Sequence, residues 1–107
     1  MTEITCKLID DEHVLTISGH AGFSGYGTDI VCAGVSALTY ALLQTLINAE
    51  EAGELSCLAY LVHDGVASIR ARPKCGYEER IGAAWEVAVT GYRMIADAYP
   101  QNVKIKL

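Results

Sequence analysis

Cys32 and His20 are the pair in this chain whose types and setting suit chemistry. Residues 19–38 read Gly-His-Ala-Gly-Phe-Ser-Gly-Tyr-Gly-Thr-Asp-Ile-Val-Cys-Ala-Gly-Val-Ser-Ala-Leu. The run sets a histidine at a strand end, then a glycine-rich loop, then a cysteine in the first turn of a helix. A thiol attacks as its thiolate, and a helix N-terminus or a nearby imidazolium favours that form. An imidazole within reach can take the thiol proton, which is the Cys–His form of nucleophilic catalysis. Backbone N–H groups at the helix start are the expected donors to an oxyanion.

Asp29 lies three residues before Cys32 and Ser36 four after it, so all three share a helical stripe. Asp29 could orient His20 by accepting a hydrogen bond from its ring. Its charge also opposes a thiolate, and the sequence leaves its net effect on Cys32 open. Ser36 either donates to the thiolate or satisfies a backbone carbonyl, and the second is the default for a helical serine. Taken alone, a helix cysteine is most often a small buried hydrophobe, and a strand-end histidine a surface residue. The loop shifts that balance, because its glycines cost stability unless a mobile segment is useful. Gly22, Phe23, Gly25, Tyr26 and Gly27 read as a segment that closes over substrate, its aromatics covering a peptide or anchoring the loop. A phosphate cradle is disfavoured: GxxxxGK[ST] lacks its lysine here, and the glycines do not match GxGxxG.

The remaining candidates carry less. Cys6 and Cys57 fall in strands and read as core or sheet-facing, while Cys75, beside Pro73 and Gly76, reads as exposed. His13 and His63 read as exposed turn residues, and Arg70, Arg72 and Lys74 as a solvated edge. No CxxC or HxxxH spacing occurs, so neither a metal site nor a cofactor is expected.

Elements must position these residues. Apolar alternation predicts strands over 3–9 and 14–19, with Ile4, Cys6 and Leu8 on one face of the first. Residues 10–12 make the turn between them. Thr28 is the expected N-cap of a long helix over 29–52, which Gly53 stops. Asp29 then falls in the first turn, complementing the helix dipole. A second hairpin, 55–62 and 66–72, turns at His63-Asp64-Gly65. A helix over 77–99 ends at Pro100, and a short strand covers 102–107. The order ββαββαβ implies an α+β fold, two long helices packed on a mostly antiparallel sheet.

The 107 residues fit one domain, 1–107. With 51% hydrophobic and 20% charged residues, disorder is excluded. A net charge of −5 argues against nucleic acid, and it favours basic partners. The first ten residues are charged and do not form a signal peptide. Residues 30–49 contain Ser36, Thr39, Gln44, Thr45 and Asn48, and read as a buried helix rather than a membrane span. The expected compartment is the cytoplasm, where thiols stay reduced. The first helix is apolar nearly all round, with Val31, Val35, Leu38, Leu42 and Leu46 on one side and Tyr40, Leu43 and Ile47 on another. One sheet covers one face, so a homodimer is expected to cover the other.

Gly19-His20-Ala21, followed by Gly27-x-Asp29-Ile30-Val31-Cys32-Ala33-x-Val35-Ser36-Ala37-Leu38, resembles the signature of the ribosomal-processing cysteine protease family (Prp). The likeness extends over the whole chain in length, hairpins, helices and last strand. Gly34 departs from it, standing where the family often has alanine; glycine there weakens the helix by up to ~1 kcal/mol. The resemblance implies a homodimeric, cytoplasmic endopeptidase with Cys32 as nucleophile, His20 as general base, and Asp29 and Ser36 at the active site. It also implies the substrate, the N-terminal extension of a large-subunit ribosomal protein of the L27 type. Two alternatives remain at this level. A non-catalytic assembly module would hold a ribosomal-protein tail in the same cleft, and a thiol redox enzyme would need a resolving cysteine that no CxxC supplies.

Overall fold

The structure is a computed structural model that describes all residues except Tyr26 and Thr28. Its elements are β1 (Thr2–Ile9), β2 (Glu12–Ser18), α1 (Ile30–Glu51), β3 (Leu55–His63), β4 (Val66–Pro73), α2 (Glu78–Ala98) and β5 (Val103–Lys106). The five strands form one sheet in the order β3-β4-β2-β1-β5. β1–β2, β2–β4 and β3–β4 are antiparallel, and β1–β5 is parallel. This is the α+β architecture that the ββαββαβ order implies.

Period-2 alternation decides which side of the sheet is covered. Ile4, Leu15, Ile17, Ala67, Ile69 and Ala71 are buried on the helix side, whereas Thr16, Arg70 and Arg72 stand exposed opposite. The helices complete the core with Val31, Val35, Leu42, Leu46, Ile81, Trp85 and Tyr92. Each such large apolar side chain contributes roughly 1.5–3 kcal/mol by leaving water. α1 and α2 pack closely beside Gly34, where a Cβ would lie 3.2 Å from Ile95 Cδ1. Gly34 therefore trades helix propensity for helix–helix approach. By length and mean hydropathy (1.8) α1 alone would suffice to cross a membrane, yet its Val31–Val35–Leu42–Leu46 face is packed into this core.

The strand directions gather distinct residues at the two ends of the sheet. One end holds the start of α1, the end of β2 and the β3–β4 turn, joined by the Gly19 N–H donating to the Gly65 carbonyl at 2.8 Å. The other end holds the β1–β2 turn, the end of α1 and the start of α2. Three expectations are corrected here. His13 is a half-buried β2 residue, stacked on Trp85 with ring centroids 5.1 Å apart, because β2 begins at Glu12. Burial lowers its pKa below the ordinary value, and Asp11 partly opposes this. Cys57 is exposed, because β3 is an edge strand whose register shifts between Leu55 and Cys57. Leu8 is 62% exposed near the outer end of β1.

Candidate active site

The N-cap of α1 is Asp29, not Thr28, which lies outside the described residues. Both are good capping types, and the geometry selects the one whose carboxylate has two oxygens to share. Asp29 Oδ1 accepts the Val31 and Cys32 N–H groups, each at 3.0 Å. Oδ2 accepts from Phe23 N–H at 3.0 Å and Ser24 N–H at 3.4 Å. One carboxylate thus caps the helix and ties the loop back onto it. The Cys32 N–H is the chief cause that holds the Asp29 carboxyl below its usual range; burial opposes it, and the Phe23 and Ser24 N–H groups add to the lowering. These hydrogen bonds of the Asp29 carboxylate all go to backbone N–H groups of the loop and the start of α1.

Cys32 and His20 line one cleft of about 750 Å³, together with Asp29 and Ser36. Ser36 is exposed one turn further along α1, and back-bonding to a carbonyl four residues earlier is made instead by Thr39 and Thr45. Gly22 and Gly27, both at positive φ, also line the cleft. Gly25 and Phe23 are exposed on the same loop, and Tyr26 falls outside the described residues. Phe23 packs edge-on against Tyr99, with centroids 5.2 Å apart.

The opposite wall comes from residues that sequence reasoning passed over. Val62, His63, Asp64 and Gly65 line the cleft, because pairing of Ser18 with Val66 carries the β3–β4 turn beside the end of β2. A Cβ on Gly65 would lie 2.9 Å from His20 Nε2, so the imidazole rests directly against the turn backbone. The Asp-Gly turn signal marked this hairpin, but nothing local marked its neighbour. Ala21 and Asn102 were missed as well. Ala21 N–H donates to Cys32 Sγ at 3.2 Å, and its carbonyl accepts from Asn102 Nδ2 at 2.9 Å.

The other thiols differ in reach. Burial beside Tyr92 pushes the Cys6 thiol up to about 11, with Arg93 slightly opposing, whereas Cys57 and Cys75 are exposed. Among the described residues no group of three or more His, Cys, Asp or Glu converges as a metal site.

The sequence model of the family described as cysteine protease Prp matches residues 1–104. A comparison with curated protein sequences gave no match. Among solved structures, the ribosomal processing protease Prp from S. aureus, in complex with a covalently linked product peptide, superposes with a TM-score of 0.76 at 21% identity, over 99% of this chain and 98% of that one. SMU.848 from Streptococcus mutans gives 0.71 at 25% identity, over 99% and 92%. S. aureus Prp with a substrate peptide gives 0.70 at 20% identity, over 99% and 98%.

Proposed function

This chain belongs to the cysteine protease Prp family, and on that premise we propose that Cys32 is its nucleophile and His20 its general base. The observation that carries the assignment is the shared cleft, which the two residues enter from opposite ends of the glycine loop. His20 takes the proton from Cys32 Sγ, and the thiolate attacks a peptide carbonyl carbon, moving the C=O electron pair onto oxygen. Collapse of that adduct breaks the C–N bond, and His20 gives its proton to the leaving amine. Water, deprotonated by His20, then hydrolyses the thioester and restores the thiol. Asp29 acts on the scaffold, fixing the loop and the start of α1, and Gly65 gives the His20 ring its backing. Ser36, one turn beyond Cys32, faces substrate.

The substrate we propose is the N-terminal extension of a ribosomal protein precursor of the L27 type. Support comes from the ribosomal processing role carried by the S. aureus proteins of the same fold, and from the net charge of −5, which suits a basic substrate. We place the enzyme in the cytoplasm, consistent with four free cysteines. It acts as a homodimer in this proposal, supported by apolar exposure on α1 at Ile30 (60%) and Tyr40 (58%).

Incubation with a peptide carrying an L27-type extension, followed by mass spectrometry, tests the proposal. Wild type should cut once within the extension, and Cys32→Ala should leave it intact. Cleavage surviving in Cys32→Ala would overturn the nucleophile assignment. Failure of wild type on this peptide, with cleavage of another, would overturn the substrate.

A further inference from the structure

Three of the N–H groups at the helix start, including that of Cys32 itself, are already engaged. Val31 and Cys32 N–H bond Asp29 Oδ1, and Ala33 N–H bonds the Asp29 carbonyl at 3.0 Å. The backbone donor that does face the reacting sulfur comes from across the cleft: Ala21 N–H, 3.2 Å from Cys32 Sγ. Ala21 is only 2% exposed, so the donor end of the contact is buried while Cys32 faces the cleft. Its carbonyl is held by Asn102 Nδ2.

Asn102 is itself a fixed point. Its carbonyl accepts the Thr2 N–H and its own N–H donates to the Tyr99 carbonyl, both at 2.9 Å. These bonds lock it between the end of α2 and the start of β1. The loop meets the same anchor a second time, where the Phe23 ring rests on Tyr99.

We infer that the Ala21 N–H is the electrophilic donor of this active site, and that Asn102 is the positioning residue that aims it. The inference rests on Cys32 being the nucleophile. A thiolate accepts a hydrogen bond more strongly than a thiol, so the donor favours the reactive form. When sulfur adds to the carbonyl carbon it gives up its charge to the oxygen on that carbon. The same N–H then lies beside the oxyanion, and no group need reorganise to meet it. A side chain 81 residues away in sequence thereby sets where the reaction's negative charge is received.

The experiment follows Cys32 ionisation without substrate. Rates of iodoacetamide alkylation are measured against pH and resolved by mass spectrometry, since Cys57 and Cys75 also react. In Asn102→Ala and Asn102→Asp the Cys32 midpoint should move upward by about half a pH unit. Peptide cleavage should fall about tenfold in kcat with KM unchanged. Asn102→Asp is isosteric and cannot donate at neutral pH, which controls for packing, while Asn102→Ala removes the donor without adding a charge that would itself raise the thiol pKa. Folded variants, by circular dichroism, with a wild-type midpoint and wild-type kcat would overturn the inference. If both variants lose the fold, a semisynthetic chain with an ester in place of the Ala21 amide removes the N–H alone. The same upward shift is then expected, and an unshifted midpoint overturns it. An upward shift in a protein that cuts no peptide keeps the thiolate contact and removes the peptidase reading, so the two ideas fail separately.

Discussion

The two ends of the sheet are held together by different means. At the end away from the cleft, Glu12 pairs with Arg70 at 2.7 Å and with Arg72 at 3.6 Å, and Glu54 pairs with Arg80 at 2.9 Å. The β1–β2 turn there places Asp10 and Asp11 at φ 50° and 66°, the left-handed pair that a two-residue hairpin turn asks for. The cleft end has no salt bridge among the described residues. It is fastened by backbone N–H groups on Asp29, by Asn102 on Ala21, and by a turn whose tip is Gly65. The contrast has a physical reason. Exposed ion pairs cost little and tolerate sloppy geometry. A nucleophile and its base need positions fixed to fractions of an ångström. Left-handed turns exist at both ends, but in the far turn aspartates fill these positions, whereas a Cβ at Gly65 would meet the His20 ring.

The sharpest way to break this comparison is substitution at the two turns. Gly65→Ala pushes a Cβ into the His20 ring, and kcat/KM should fall about 100-fold. Asp11→Gly at the far turn should leave kcat/KM at the wild-type value. Steady-state cleavage of the extension peptide measures both.

Removing one acidic residue at each end gives the next largest contrast. Asp29→Ala frees the loop and uncaps α1, so thermal melting and kcat/KM should drop together, the latter about tenfold. Glu12→Ala should cost at most about 1 kcal/mol in a urea melt and leave cleavage intact. The lowered Asp29 pKa adds a sign. The stability it contributes is present above the ordinary carboxylate range and is lost only as pH falls through the lowered value.

The smallest effect concerns pH at the far end. Burial beside Trp85 lowers the pKa of His13, with Asp11 partly opposing. Its folded pKa lies below its unfolded one, so the unfolded chain binds the proton first. Melting temperature should decline as pH drops below about 6.5. His13→Phe should flatten that decline, as thermal scans across this range would reveal.

Much of the fold was legible because its signals are local. α1 was expected over 29–52 and spans Ile30–Glu51; α2 was expected over 77–99 and spans Glu78–Ala98. Gly53 and Pro100 end helices whatever surrounds them, and strand alternation survives in β2 and β4, while in β1 it is lost after Ile4. Cys32 and His20 were visible by type and by the glycines between them. What local pattern could not carry was tertiary. Thr28 and Asp29 are equally good caps on paper, and only the loop's N–H groups distinguish them. Cys57 escaped because a register shift on an edge strand breaks the alternation that assigned it inward. Asn102 carries no periodic or motif signal, since its partner lies at the other end of the chain.

That separation has a consequence for when the enzyme becomes active. Thr2 pairs with Val103, and Ala21 waits for Asn102. Such distant contacts close slowly, after local helices and hairpins have formed. During synthesis a ribosome-bound chain can already display Cys32, His20 and the whole glycine loop. It still lacks Asn102, which holds the Ala21 carbonyl, so the cleft is completed only once Asn102 and β5 have docked beside β1.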